Sequence, residues 1–239
     1  MYRSIIKLLP YVYLTEMQKR HLLLEAEEKA AQLFKAIETK KLIIPGKTEK
    51  ELSDEVFNLA FDMFGIKKYW HKRLVRCGEN TLLPYHHNPP MQTIQEDDIL
   101  FLDFGPIFEE WEADFGRTFI IGNDPKKIKL QSDIMIAWQE VKNEFDKREN
   151  ITGSALYHMA VANAEAKGWK FGGEIAGHII GHFPHEKLDK EIKDNYIHPE
   201  NYQNMKLPDK AGNKRDWILE IHFIDENLKI GGFTEQLLT

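Results

Sequence analysis

The sequence predicts a chain that mixes α-helices with antiparallel β-hairpins, because two kinds of pattern occur along it. Four stretches repeat apolar residues every three or four positions, which is typical of amphipathic helices that pack one face on a core. Two other stretches place apolar strands on both sides of a short polar turn, which is typical of hairpins. With 239 residues, the chain is long enough to bury a sizeable core.

Composition and charge exclude several functional classes. The net charge is −6 and no Lys/Arg stripe is present, so we expect no nucleic-acid partner. Cys77 is the single cysteine, which excludes an intramolecular disulfide and a thiolate zinc site and fits the reducing cytoplasm. Residues 1–14 are mildly apolar but too short to span a bilayer, so we expect no membrane association and a segment that packs on the body.

The helical stretches begin at recognisable capping residues. A Thr followed three positions later by Gln or Glu is a capping box, and a Ser before an apolar run is a frequent helix cap. The predicted helices are residues 15–40 (Thr15 with Gln18), residues 48–64 (Thr48 with Glu51, ending at Gly65), residues 126–150, and residues 155–167 (capped by Ser154). Residues 67–77 are predicted to form a strand.

The first hairpin, residues 98–121, carries two aspartates. Its strands are predicted over residues 99–104 and 113–121, with a polar turn at Glu109 and Glu110. A symmetric closure centred between residues 108 and 109 would place Asp103 directly opposite Asp114, with Cβ atoms about 5 Å apart. The alternative is a bulged turn that separates them and leaves one as a solvated surface acid.

The second hairpin repeats this arrangement near the C-terminus. Glu220 lies in the strand WILEIHF and Glu235 in GGFTEQLLT, and a centre between Asn227 and Leu228 makes the two acids direct neighbours. Close carboxylates in an apolar setting repel each other, so one must bind a proton or a cation must lie between them. Two such hairpins predict four carboxylates gathered around hard cations.

Histidines occur in two further stretches. His86 and His87 lie in a proline-rich loop, where histidines are usually exposed to solvent. His178, His182 and His185 lie in GGEIAGHIIGHFPHE, and a neutral imidazole is the usual nitrogen ligand of a divalent metal. The alternative is a glycine-rich loop with incidental histidines.

The strings FLDFG, EADFGRTF, GHIIGHFPHE, ILEIHF and FTEQ resemble the ligand motifs of the pita-bread metallopeptidases, the family of methionine aminopeptidase, aminopeptidase P and prolidase. The resemblance covers roughly Thr15 to the C-terminus. It implies an α+β fold, in which a curved antiparallel sheet carries helices on its outer face and metals in its inner concavity. It also implies one catalytic domain over residues 1–239, with a helical lead-in over about residues 1–47, and an internal pseudo-twofold repeat that relates residues 49–121 to residues 154–238.

The resemblance assigns a role to each matched residue. Asp103 would hold one divalent ion (Mn, Co, Fe or Zn), and His178 and Glu220 would hold the other. Asp114 and Glu235 would bridge the two ions, which would share a hydroxide that attacks the peptide bond.

The resemblance also implies three catalytic side chains. His185 would contact the substrate carbonyl, and Glu220 would shuttle a proton. His86 lies in the loop where the family keeps a histidine near the scissile amide, and His87 is the competing choice.

We therefore expect a two-metal aminopeptidase or dipeptidase that acts on peptides or dipeptides. Two departures leave its substrate open: Ile221 stands where the family usually has proline, and Phe233 stands where proline-specific members usually have arginine. The alternatives are a metal-free, creatinase-like hydrolase and a non-catalytic module that binds peptides or proteins. The sequence leaves the oligomeric state open.

Overall fold

The computed structural model describes residues 14–184, 192–209 and 212–239. The predicted lead-in up to residue 13 and the candidate residue His185 therefore lie outside the described residues. The α-helices in the described part of the chain are α1 (Glu16–Thr39), α2 (Glu49–Phe64), α3 (Pro125–Lys147) and α4 (Gly153–Lys167). The strands there are β1 (Leu74–Cys77), β2 (Asp98–Phe104), β3 (Ile107–Phe108), β4 (Trp111–Glu112), β5 (Phe115–Ile121), β6 (Lys170–Phe171), β7 (Ile179–Ile180), β8 (Asp216–Asp225) and β9 (Ile230–Leu237). None of the described helices combines the length and the apolar character that a bilayer crossing requires.

The helix caps agree with the sequence at α1 and α2 and differ at α4. Both predicted capping boxes form, at Thr15 and at Thr48. The prediction that Ser154 caps α4 is wrong: the side chain of Thr152 accepts from Ala155 N at 3.1 Å. Ser154 is already inside the helix, and its backbone N–H donates to Asn201 O at 2.7 Å.

Seven of the described strands form one antiparallel sheet with a mirrored order. The order across it is β1-β2-β5-β9-β8-β6, with β7 also paired to β8, whereas β3 and β4 form a separate two-stranded sheet. From either edge, the path meets a short strand, then the first and then the second strand of a hairpin. This order agrees with the pseudo-twofold repeat that the sequence suggested.

The register of the first hairpin differs from the prediction. Asp103 lies opposite Gly116, not opposite Asp114, because the two-residue turn is centred between Glu109 and Glu110, both with positive φ. The partner position shifts by two, and side chains alternate faces with a period of two, so Asp114 keeps the face of Asp103. In the second hairpin the prediction is confirmed, since Glu220 pairs with Glu235.

The predicted strand over residues 67–77 is too long, because β1 begins only at Leu74. The preceding residues leave the main sheet and run beside the turn after β2. There Trp70 N donates to Gly105 O at 3.0 Å, and Ile107 N donates to Lys68 O at 3.1 Å. Residues 68–70, which precede β1, therefore lie beside the C-terminal end of β2.

The helices cover one face of the sheet, as the sequence predicted. Leu100, Leu102 and Phe104 of β2 pack in a core with α1 and α2, whereas Leu219 and Ile221 of β8 pack in a core with α3 and α4. The alternate side chains of these strands point to the opposite face and line a cavity of about 360 Å³. Asp103 and Glu220 are among them.

Candidate metal centre

The five predicted metal ligands all line this cavity, although they come from distant parts of the chain. Four of them are buried, and the side chain of Glu220 is 17% exposed. Asp103 lies near the end of β2, Asp114 just before β5, His178 just before β7, Glu220 on β8 and Glu235 on β9. The two hairpins meet at the centre of the sheet, where Gly116 of β5 pairs with Glu235 of β9.

Asp114 lies at the middle of the cluster. Its Oδ2 is 3.1 Å from Nε2 of His178, and the same nitrogen is 3.6 Å from Oε1 of Glu220. The Nδ1–H of His178 donates to the carbonyl of Ile179 at 2.8 Å, which directs Nε2 towards the carboxylates.

Two glycines permit this close assembly. A Cβ on Gly116 would lie 2.7 Å from the Phe233 ring and 3.2 Å from Cγ of Glu235, so a side chain there would push Glu235 away. A Cβ on Gly177 would lie 2.0 Å from the carbonyl oxygen of Ile218. The glycine therefore lets His178 approach β8, where Ile218 N donates to His178 O at 2.8 Å.

Burial shifts the carboxylates of the cluster towards their protonated forms. It raises the pKa of Asp103 to about 6 and that of Glu220 to about 7. Burial, together with the charges of Asp103 and Asp114, raises the pKa of Glu235 well above its usual range. Among the described residues, Asp103 Oδ1 and Glu235 Oε1 have no hydrogen-bond partner. Buried carboxylates with such oxygens suit a cation between them.

Asp114 behaves differently because imidazoles flank it. Burial alone would raise its pKa, but the neighbouring His71 and His178 outweigh burial and hold the pKa below its usual range. Burial would lower the pKa of His178, yet Asp114 and Glu220 raise it to about 9. Without metal, the imidazoles thus supply the positive charge that the carboxylates require. Carboxylate oxygens with imidazole nitrogens are a donor set that fits divalent ions such as Mn, Co, Fe or Zn.

His71 is the site residue that sequence reasoning missed. Its side chain is 7% exposed, and its Nε2 lies 3.0 Å from Oδ1 of Asp114 and 3.5 Å from Oδ1 of Asp103. In the sequence it stood inside a predicted strand with no motif around it. The pairing of Leu74 with Asp103 brings it to the cluster, and nothing local to HKRL predicts that pairing.

The predicted loop histidines take different positions. His86 lines the cavity, with Nδ1 4.0 Å from a carboxylate oxygen of Glu174, whereas the described wall of the cavity does not include His87. The buried guanidinium of Arg76 holds this loop, because it donates to the carbonyl of Leu83 and to that of His87 at 2.8 Å. His182, from the histidine-rich stretch, instead pairs with Trp111 at the tip of the first hairpin.

The walls of the cavity are mainly aromatic above the cluster. Trp70 donates from Nε1 to the carbonyl of Ala113 at 3.0 Å, and Tyr85 accepts from Lys72 N at 3.3 Å. The rings of Phe101 and Phe233 lie 5.3 Å apart between centroids, at an interplanar angle of 41°. A pocket of this size and character is typical of sites for small organic ligands.

The family of the chain follows from its sequence. Residues 21–210 match metallopeptidase family M24. The chain belongs to this family. The pita-bread fold that the sequence suggested is the M24 fold, and solved M24 structures superpose on nearly the whole chain.

Two curated relatives are similar over part of the chain. A Mycoplasma genitalium protein, provisionally named an Xaa-Pro aminopeptidase, is 33% identical over 111 residues, which cover 46% of this chain and 31% of that protein. The Xaa-Pro dipeptidase of Pyrococcus horikoshii is 27% identical over 140 residues, which cover 59% of this chain and 38% of that protein. The chain thus matches only about a third of the length of these relatives.

Two solved structures share the fold. An X-Pro aminopeptidase from Thermotoga maritima superposes with a TM-score of 0.74 at 22% identity, covering 94% of this chain and 62% of that one. A methionine aminopeptidase from the same organism superposes with a TM-score of 0.69 at 16% identity, covering 92% of this chain and 96% of that one. At these identities the likeness concerns the fold alone.

Proposed function

We propose that this M24 chain is a two-metal peptidase that hydrolyses the N-terminal peptide bond of a peptide or dipeptide. The observation that carries the proposal is the position of Asp114. Its Oδ2 lies 3.1 Å from Nε2 of His178, and Asp114 also shares one group of possible metal ligands with Asp103 and Glu235, which line the same cavity. A carboxylate so placed is suited to bridge two ions.

The site residues have two proposed roles: some would bind the ions, and others would act on the peptide substrate. Asp103 would hold one ion, His178 and Glu220 the other, and Asp114 and Glu235 both. Bound divalent ions supply Lewis acidity and a nucleophile at neutral pH. Glu220 would also carry a proton towards the leaving amine, a role that rests on the family resemblance.

Two histidines complete the proposed site. His86 lies on the cavity wall, where its ring can donate to a peptide bound above the cluster. His185 would contact the substrate carbonyl; that role rests on the resemblance, since the residue lies outside the described part of the chain.

The substrate preference is open between an Xaa-Pro peptide and other N-termini. The names of the curated relatives favour Xaa-Pro substrates. Phe233 favours substrates with other N-termini, because proline-specific members usually have arginine at this position. Here an aromatic ring lines the cavity instead. The single cysteine, Cys77, fits a cytoplasmic location, which stays a prediction, as does a single catalytic domain over residues 1–239.

The test is to strip the protein with a chelator and reload it with Mn²⁺, Co²⁺, Fe²⁺ or Zn²⁺. Each form is then assayed on Met-, Ala- and Xaa-Pro-starting peptides and on dipeptides. We expect up to two ions per chain, and cleavage only in the reloaded protein. Full cleavage by the stripped protein would instead indicate a metal-free hydrolase, and peptide binding without cleavage by any form would indicate a binding module.

A further inference from the structure

We propose that His71 is a sixth protein ligand of the metal centre, binding through Nε2 the ion that Asp103 holds. The inference rests on the proposed function, because it concerns the same two ions. It would give each ion one imidazole: His71 from the first half of the chain and His178 from the second. The evidence consists of distances, hydrogen bonds and local packing around the His71 ring.

The distances around His71 match those around His178. Nε2 of His71 lies 3.0 Å from Asp114 Oδ1 and 3.5 Å from Asp103 Oδ1. Nε2 of His178 lies 3.1 Å from Asp114 Oδ2 and 3.6 Å from Glu220 Oε1. Two ligands that each lie about 2.1 Å from one ion are separated by about 3.0 Å in octahedral and about 3.4 Å in tetrahedral geometry. Both imidazoles are therefore spaced as neighbouring ligands of an ion.

The other ring nitrogen of His71 fixes the orientation of the ring. Nδ1 lies 2.7 Å from the carbonyl oxygen of Lys72, the next residue, and Nδ1 of His178 lies 2.8 Å from that of Ile179. A metal-binding histidine typically donates its second ring N–H in this way, which leaves the lone pair of the first nitrogen for the metal. The same hydrogen bond, from Nδ1 to the carbonyl of the next residue, thus orients the imidazole in both halves of the chain.

The surroundings of His71 are shaped to hold it in place. A Cβ on Gly105 would lie 2.2 Å from Cδ2 of His71 and 2.3 Å from Nε1 of Trp70, so only glycine leaves room for both rings. The Trp70 ring packs edge-on against both imidazoles, at 4.5 Å from His71 and 5.2 Å from His178. The segment that precedes β1 is thus anchored beside the centre rather than left in solvent.

A second group independently points to an ion at this position. Asp103 Oδ1, the oxygen that faces His71, has no hydrogen-bond partner among the described residues. His71, Asp103, Asp114 and Glu235 each offer one ligand atom within 4.8 Å of the others. An added imidazole shifts the preference of a carboxylate site away from Mn²⁺ and towards Co²⁺ or Zn²⁺.

Co²⁺ titration of the chelator-stripped protein tests the assignment, with calorimetry and the visible d–d spectrum as readouts. Wild type, His71→Ala, His178→Ala and the exposed control His158→Ala are compared, with circular dichroism as a check of folding. We expect two Co²⁺ ions in wild type, and in His71→Ala the loss of one ion or affinity lowered by about 10-fold or more at one site, with a changed spectrum. The His158→Ala variant should match wild type.

Proton NMR of Co²⁺-loaded wild type supports the test even if His71→Ala does not fold. Each imidazole bound through Nε2 should give one strongly shifted, exchangeable Nδ1–H signal, so we expect two in the fully loaded protein. One such signal with two ions bound, or unchanged Co²⁺ affinities and spectrum in His71→Ala, would overturn the assignment and leave the proposed function intact. One ion in wild type and two in His71→Ala would also overturn it, since His71 would then replace an ion. No Co²⁺ binding by wild type would overturn both proposals.

Discussion

Nε2 of His71 lies 3.0 Å from Oδ1 of Asp114, while Oδ2 of the same carboxylate faces His178. Asp114 thus connects the two halves of the sheet at the centre of the cavity. Without metal, burial lowers the pKa of His71, but Asp114 and Asp103 outweigh burial and raise it to about 9. The protonated ring then balances charge that a bound cation would balance instead.

Asp114→Asn should remove most ion binding, because an amide cannot supply two anionic oxygens to a pair of ions. We expect affinity for the more weakly held ion to fall by about 100-fold, and peptidase activity to fall at least as far. Elemental analysis after dialysis measures the first effect and peptide cleavage the second. Asp62→Asn, at an exposed position of α2, is the matched control. A variant that keeps two ions and full activity would remove Asp114 from the ligand set.

Ion binding should strengthen as pH rises. The ions must displace protons from Asp103, with a pKa of about 6, from Glu220, with a pKa of about 7, and from His71 and His178, with pKa values of about 9. Competition from protons is therefore strongest below pH 6 and weakens as pH rises towards 9. At pH 8 calorimetry in buffers of different ionisation enthalpy should show protons released on ion binding, from the two imidazoles and from Glu235, whose pKa burial also raises. The release of no proton would contradict this charge balance.

Gly105→Ala should disturb the metal centre although it substitutes none of the proposed ligands. The added methyl would displace the rings of His71 and Trp70, so we expect a loss of about 1–3 kcal/mol in the free energy of unfolding. We also expect weaker binding of one ion, measured by Co²⁺ titration. Gly181→Ala is the matched control, because a Cβ there meets nothing within 4 Å. Equal stability and equal Co²⁺ affinity in the two variants would show that the space beside Gly105 is not restricted.

Protonation of Glu27, which lies outside the proposed metal centre, should make the free energy of unfolding depend on pH. Glu27 lies in α1, accepts from Leu237 N at 3.0 Å, and has its pKa raised by burial from 4.5 to about 7. The folded state therefore binds the proton more tightly, and its contribution to stability is lost as pH rises from about 4.5 through 7. Glu27→Gln keeps an acceptor without the charge, so at pH 8 it should be more stable than wild type by about 1–2 kcal/mol. Urea unfolding at pH 5 and pH 8 measures this difference, and an equal difference at both values would contradict it.

His86→Ala should lower the peptidase rate, whereas His87→Ala should leave it near wild type. His86 lines the cavity, while the backbone carbonyl of His87 is held by Arg76 whatever its side chain. We expect a reduction of kcat by about 100-fold for His86→Ala, in the range of general acid–base catalysis. If both variants cleave peptides at the wild-type rate, the loop takes no part in the chemistry.

The sequence predicted the features that depend on local patterns. Capping boxes at Thr15 and Thr48, and the direct pairing of Glu220 with Glu235, follow from residues close in the chain. The position of the first turn did not follow, because two acidic residues with positive φ, Glu109 and Glu110, carry no glycine signal for a tight turn. The error shifted the partner of Asp103 by two residues but kept the two aspartates on one face.

His71 could not be predicted, because its position depends on pairing between distant parts of the chain. Its place follows from the detour of residues 68–70 beside the turn after β2 and from the space that Gly105 leaves. A histidine without a neighbouring motif has no periodic or spacing signal that separates a ligand from a surface residue. The approach of His178 to Asp114, by contrast, was suggested only by the family resemblance.

Anomalous diffraction from crystals loaded with Zn²⁺ or Mn²⁺ tests the metal centre most directly. We predict two anomalous peaks per chain, with Asp114 and Glu235 between them, Asp103 and His71 at one peak, and His178 and Glu220 at the other. Peaks away from these side chains, or no peak in the cavity after soaking at saturating ion, would contradict the proposal that this cluster is a two-metal peptidase centre.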